Sequence, residues 1–155
     1  MTVDDRRFMA RAIALSETTA LVERAGGPFG CVIVQDGRIL AEGANRVAAE
    51  NDPTWHAEME AIRNACRAAG RPKLNEATLY TSAEPCAMCL AAACWAGIAR
   101  IVYASTNADA AAAGFDAAWV AEALCRTASA HRIPARQLMR AEAVEVWNAY
   151  RAASG

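Results

Sequence analysis

Residues 29–44 read Phe29-Gly30-Cys31-Val32-Ile33-Val34-Gln35-Asp36-Gly37-Arg38-Ile39-Leu40-Ala41-Glu42-Gly43-Ala44, and their reading sets the architecture. Phe29 to Val34 is a short apolar run rich in β-branched side chains, entered from Ala25-Gly26-Gly27-Pro28. Asp36-Gly37 is a tight-turn pair and Arg38 to Ala44 reads as the returning strand, so a hairpin opens the sheet. Upstream, Phe8, Ala12, Leu15 and Val22 supply a stripe at helical spacing and predict a first helix over 3–24, with Thr2 and Asp5 as its capping pair. Downstream, helix and strand alternate. A polar stretch from Asn45 to Pro53 leads to a helix near 54–69, closed by Gly70, and Ala77 to Thr81 is a strand. A helix from about Cys86 to Gly97 and a strand from Ile98 to Ala104 come next. An alanine-rich helix around 116–126, a break at Ile133-Pro134 and a terminal helix near 141–152 complete the chain, with 136–139 open as a further strand. A hairpin followed by strands alternating with helices implies an α/β or α+β sandwich around a mixed sheet.

The chain has 155 residues, which fits one domain over 1–155, and a domain of that size buries about 68–70% of its unfolded surface. It needs no disulfide staples to build a core. Hydrophobic residues are 55% and charged residues 21%, which excludes a disordered chain. The formal charge of −1 argues against a dedicated nucleic-acid binder, whose surface carries a basic stripe. No stretch approaches 18 uninterrupted apolar residues, so no membrane span is expected, and the acidic start Met1-Thr2-Val3-Asp4-Asp5 is not that of a targeting peptide. The expectation is a cytoplasmic protein, where clustered cysteines more often bind metal or catalyse than form disulfides.

Two motifs carry chemistry. His56-Ala57-Glu58 opens the second predicted helix and Pro85-Cys86-Ala87-Met88-Cys89 opens the third. Both follow a strand end or loop, which puts them at one edge of the sheet, where open α/β sheets place their sites. Cys86 and Cys89 are three apart on one helix, so their sulfurs share a face, and a first helical turn favours thiolates. Pro85 suits a helix entry, where no N–H is needed. One imidazole and two thiolates make three ligands, the count of a catalytic zinc with its fourth position open to water. Glu58 is the natural proton carrier for that water. Taken singly, a CxxC is also a redox pair or two core cysteines, and an HxE is a common accident. In order, and each at a helix start, they read as a Zn2+ site. Cys31, Cys66, Cys94 and Cys125 lie in apolar patterns and read as buried thiols, and His131 reads as a non-ligand.

His-Ala-Glu followed by Pro-Cys-x-x-Cys resembles the signature of the zinc nucleobase and nucleoside deaminases, the cytidine/deoxycytidylate deaminase superfamily. Gly26-Gly27-Pro28-Phe29-Gly30, Asn45, Asn51-Asp52-Pro53-Thr54, Ala61-Ile62-Arg63, Leu79-Tyr80-Thr81-Ser82 and Gly114-Phe115-Asp116 look like its bacterial guanine deaminase branch, over about residues 5–130. The resemblance implies a three-layer α-β-α sandwich with a central mixed five-stranded sheet. It also implies a homodimer whose C-terminal segment, about 141–152, swaps onto the partner. By the same resemblance His56, Cys86 and Cys89 hold the zinc and Glu58 is catalytic. Phe29 and Trp95 stack on a flat base, Asn45 hydrogen-bonds its edge, and Ala57 and Asp116 sit near the substrate. On the residues alone, Phe29 and Trp95 read equally well as core, and Asn45 as a turn residue.

The chain departs from that pattern at Ala117, where a second acid is common, and at its end, Ala152-Ala153-Ser154-Gly155, where a tyrosine is usual. Trp55 stands before His56 in place of a small residue, and Ala83 and Ala87 also differ. The expected function is zinc-dependent hydrolytic deamination of a free purine base, guanine to xanthine and ammonia, with a small-molecule nucleobase as the only ligand. Guanosine, cytosine and a triazine such as ammeline are the rival substrates, then adenosine in tRNA, against which the near-neutral charge counts. A non-catalytic zinc-stabilised module is the reading from another class.

Overall fold

Asp36 and Gly37 both take left-handed backbone, φ 52° and 71°, the paired conformation of a two-residue hairpin turn, in the computed structural model of the chain, which describes residues 3–125 and 137–154. They join β1 (Gly30–Gln35) to β2 (Arg38–Ala44), with Gly30 opposite Ala44 and Gln35 opposite Arg38. The register shifts between Ile33, opposite Ala41, and Val34, opposite Ile39, which makes Leu40 the bulged residue. β3 (Thr78–Ala83) lies antiparallel on the other side of β1. β4 (Arg100–Ser105) is parallel to β3, so the chain must cross over between them.

The sheet is mixed, of order β2-β1-β3-β4, and four-stranded among the described residues, not five-stranded. The segment left open as a further strand, 136–139, is not one over its described residues, for a local reason. Gln137–Met139 is irregular, Leu138 is 77% exposed, and Met139 sits at φ 55°, which breaks an extended run. Residue 136, His131, Pro134 and the Thr2 cap lie outside the described residues.

Period-two alternation assigns the two faces of the sheet. Val32, Val34 and Tyr80 point one way, where α1 (Val3–Glu17) covers them with Phe8; a π-helical turn, Thr18–Val22, extends that helix. Asp5 on α1 is buried and accepts from Tyr80 Oη and Arg100 Nη2, each at 2.7 Å, tying the helix to β3 and β4. Cys31, Ile33 and Leu79 point the other way. A single turn, α2 (Val47–Glu50), precedes α3 (Ala57–Ala69), which buries Ala57, Ala61, Ile62 and Ala65 on that face beside Ala93 and Ala96 of α4 (Ala87–Ala96). Small residues let α3 sit close. Gly43 of β2 has no Cβ because one would stand 2.2 Å from Ala57 O and 2.4 Å from Ala61 N.

The layers are therefore α, β and α. α5 (Asn107–Ala112) follows β4, begun by a capping box between Thr106 and Asp109, and α6 (Ala118–Leu124) follows that. Residues 1–121 form one compact unit and 122–155 a second, which contains α7 (Arg140–Ser154) with Val146 and Trp147 exposed. Among the described residues no helix is long and apolar enough to cross a membrane.

Of the four cysteines read as buried thiols, Cys31 is buried and Cys66 half-buried, but Cys94 and Cys125 are exposed. α4 is apolar all round, so its sequence carried no sign of which face would meet the sheet. Cys89, Ala93 and Ala96 do, and Leu90, Cys94 and Trp95 face outward.

Candidate active site

The antiparallel pairings about β1 give β2 and β3 the same direction, and β4 follows β3. The C-terminal ends of these three strands and the N-terminal end of β1 thus share one sheet edge. Asn45 follows β2, Glu84 follows β3, Asn107 follows β4, and Phe29 precedes β1. These four line one cavity of about 540 Å³ together with His56, Glu58 and Cys86.

His56 is the residue before α3 and Cys86 the residue before α4, both with extended backbone (ψ 156° and 171°). Neither side chain caps its helix. Each turns toward the other instead. The Cys86 Sγ to His56 Nδ1 distance is 3.7 Å, Cys89 Sγ to His56 Nδ1 is 3.5 Å, and the sulfurs are 3.7 Å apart. A tetrahedral zinc with bonds of about 2.3 Å to sulfur and about 2.0–2.1 Å to nitrogen places its donors about 3.8 Å (S to S) and about 3.6 Å (S to N) apart. The donor set fits that ion on all three edges.

The electrostatics favour a cation here. The Cys86 thiol is pushed down to about 4, first by the Cys89 thiol donating to it and then by His56, against the opposing effect of burial. Cys89 is pushed up, because its proton is shared with that thiolate and because burial and Glu58 both disfavour a second negative charge. His56 is pushed up by its contact with Cys86. Glu58 is 6% exposed, and burial raises its carboxyl above the ordinary range. One anionic sulfur, an imidazole and a carboxyl raised by burial therefore meet where two helices begin.

Of the other residues singled out in the sequence, Phe29, Asn45 and Asp116 line the cavity. Asn45 is buried, and its Oδ1 accepts from Gly27 N (3.1 Å) and Val47 N (3.2 Å). Two N–H donors fix which end of the amide is oxygen, so its NH2 is the part left to meet a ligand. Asp116 Oδ1 accepts from Ala118 N at the start of α6. Ala57, the first residue of α3, is fully buried, its carbonyl close to Gly43, and is not in the cavity wall. Trp95 is also elsewhere. It lies near the far end of α4, 80% exposed and outside the cavity, because nine residues of helix carry it away from Cys86. The aromatic neighbour that Phe29 does have is Phe115, edge-on at 5.1 Å.

Phe115, Trp119, Asn107, Glu84 and Met88 line the cavity without having been assigned a place in it. A signal existed for some of them. Thr106-Asn107-Ala108-Asp109 is a capping-box sequence, and it announces the turn of α5 that brings Asn107 to the cavity, where its N–H donates to Glu84 Oε2 at 2.9 Å.

A family profile described as the cytidine and deoxycytidylate deaminase zinc-binding region matches residues 2–105. The chain belongs to the cytidine and deoxycytidylate deaminase family. Family membership makes it a zinc-dependent hydrolytic deaminase, and the His56, Cys86 and Cys89 cluster fits that cofactor. The chain is 44% identical to the guanine deaminase of Bacillus subtilis (strain 168) over 144 residues, 93% of this chain and 92% of the relative. The X-ray structure of guanine deaminase from Bacillus subtilis superposes with a TM-score of 0.91 at 42% identity, covering 98% of this chain and 95% of that one. A tRNA-specific adenosine deaminase of Agrobacterium fabrum is also 44% identical, but over 95 residues, 61% of this chain and 62% of its own length.

Proposed function

We propose that this chain hydrolyses guanine to xanthine and ammonia, with His56, Cys86 and Cys89 holding one zinc ion and Glu58 carrying the protons. The observation behind the assignment is the buried Glu58 carboxyl lining the cavity beside the three-donor cluster. A likeness that spans 93% of the chain for guanine deaminase, and only 61% of it for the tRNA enzyme, supports the free base.

Zinc, when bound, activates a water at neutral pH by lowering its pKa to about 7. Phe29 and Phe115 give a flat base an apolar wall, and the Asn45 NH2 donates to an acceptor on the base edge. Glu58 takes a proton from the attacking water and delivers it to the ring nitrogen beside the amino-bearing carbon. It then passes the second proton to the amino group. The water oxygen stays on the ring carbon and ammonia leaves. Burial suits Glu58 to this, because it raises the carboxyl toward the pH at which it must both accept and give a proton. The same reading treats 1–155 as one cytoplasmic deaminase domain that works as a homodimer, with the segment around 141–152 exchanged between copies. Exposed Leu90 and Trp95 on α4, and separately Val146 and Trp147 on α7, are apolar surface that a second copy would cover. Trp95, outside its own cavity, then serves as a stacking face only for the partner's base.

Ammonia release from guanine, guanosine, cytosine, ammeline and an adenosine-bearing tRNA, measured with the parent and Glu58→Gln proteins, tests this. Guanine turnover that falls by about 10²–10⁴ in Glu58→Gln with zinc content unchanged is the expected result. No turnover of guanine alongside strong turnover of another amine overturns the substrate. Full activity in Glu58→Gln overturns the mechanism, and sedimentation as a monomer overturns the dimer.

A further inference from the structure

Behind the His56 loop lies a cluster that the mechanism does not use. Trp55 directly precedes His56 and is half-buried, and its indole Nε1–H donates to Glu60 Oε1 at 3.2 Å. The other oxygen of that carboxylate accepts from Ala44 N at 2.7 Å. Ala44 ends β2 and adjoins Asn45. On the other side of Asn45, Arg46 N donates to Trp55 O at 3.0 Å. The loop before His56 is thus tied to both neighbours of Asn45. Arg63 holds the indole from its face, with its guanidinium carbon 5.5 Å from the ring centroid and Nη2 donating to Thr54 Oγ1 at 3.4 Å. Arg63 Nη1 is buried with no hydrogen-bond partner among the described residues, and the electron-rich indole face is the partner it has instead. Glu60 and Arg63 are three apart on α3, so the helix that begins after His56 grips the side chain that precedes His56.

We infer that Trp55 and Glu60 form a positioning pair, which fixes His56 against Cys86 and Cys89 and keeps it in register with Asn45. The inference rests on the assignment of those three residues as zinc ligands. Neither Trp55 nor Glu60 lines the cavity, so both act through the groups they hold. The indole N–H and the Ala44 N–H use one carboxylate oxygen each, and this couples the metal side of the site to its base-recognition side. Outer partners of metal ligands typically change affinity by about 10–100-fold when removed.

The test is the rate at which purified full-length zinc protein releases its metal to a coloured chelator, with circular dichroism on the same samples. Trp55→Phe keeps a ring under Arg63 and removes the N–H, and Glu60→Ala removes both acceptors. Trp55→Phe is expected to speed zinc release by about three- to tenfold, and Glu60→Ala by about 10–100-fold, with the fold retained. The double variant should release zinc no faster than Glu60→Ala alone, because the indole then has no acceptor to lose. Parental release rates with only a lowered Tm overturn the inference, as do effects that simply multiply in the double variant. His56→Ala separates this from the reading beneath it. If it loses zinc while the Trp55 and Glu60 variants keep theirs, the positioning pair fails and the ligand assignment stands. If His56→Ala keeps zinc tightly, the ligand assignment fails and the inference falls with it.

Discussion

Gly43→Ala delivers a displacement of known direction to the site without touching it. The added Cβ would lie 2.2 Å from Ala57 O and 2.4 Å from Ala61 N, against an ordinary contact of 3.4–4 Å. Both atoms are backbone of the first turns of α3, so no side chain can swing aside, and the helix start must move by about 1.2 Å. Overpacking of this kind costs about 1–3 kcal/mol, which in a chain of this size lowers Tm by about 2–4 °C per kcal/mol. The functional cost is separate. His56 and Glu58 ride on that turn, and misplacing reacting groups by about 1 Å costs about 10²-fold in rate. Gly70→Ala is the matched control. Gly70 lies at the opposite end of α3, where a Cβ meets nothing within 4 Å but φ is 62°, so the variant carries a backbone strain of about 1–2 kcal/mol and leaves the first turn in place. Thermal unfolding, zinc content and kcat on guanine, measured on both, give the answer. Both variants should lose stability, and only Gly43→Ala should lose most of its kcat. Equal kcat losses, or parental kcat in Gly43→Ala, would refute the argument that the sheet sets the height of the catalytic turn.

Tyr80→Phe removes the hydroxyl that donates to buried Asp5 and should cost about 1–3 kcal/mol in urea unfolding at pH 7, since the acceptor keeps only Arg100 of the two. Burial, with Asp5 as acceptor, pushes Tyr80 up to about 12, so its contribution is whole below its ordinary value of 10 and is lost as pH rises through 12; the Tyr80→Phe protein should lack that part of the alkaline loss. Arg11 grips Glu42 with two 2.7 Å hydrogen bonds and holds its carboxyl below the ordinary 4.5. The pair stabilises above that value and fades as pH falls below it. Because Arg11 is about half exposed, Arg11→Met should cost only about 0.5–1 kcal/mol at pH 7, a cost that shrinks as pH falls below 4.5.

The parts of this molecule that were legible in the sequence are those decided within a few residues. Asp36-Gly37 admits hardly any conformation but a hairpin turn, and Cys86 and Cys89, three residues apart at a helix start, bring their sulfurs together even though Cys86 is the extended residue before α4 and not part of it. His56 needed one further step, that strand ends on one side of a sheet gather their following loops. Illegible were the properties that depend on what packs against an element. α4 carries no polar residue from Ala87 to Ala96, so nothing in its pattern separates the face that holds Cys89 and Ala93 from the one that displays Cys94 and Trp95. The segment 136–139, open as a strand in the sequence, could pair, but a strand exists only where a neighbour accepts its hydrogen bonds, and Leu138 and Met139 show none of that burial.

The same distinction orders the site itself. A metal centre demands donor atoms at fixed separations, and few residue types supply them, so its members are recognisable once His56, Cys86 and Cys89 are read together. A wall for a flat base demands only an apolar surface at the right place, and any aromatic can provide it. Phe115, brought to Phe29 by the turn after α5, supplies such a surface in this cavity, while Trp95 of α4 lies outside it. Asn45 belongs to both kinds. Its oxygen is spent on Gly27 and Val47, which is the structural task a turn asparagine performs, and that use leaves its NH2 as the end available to a ligand in the cavity that Asn45 lines. The reading of Asn45 as a turn residue and the proposal of it as a base-edge donor are therefore compatible, because the hydrogen bonds that build the turn would preorganise the donor.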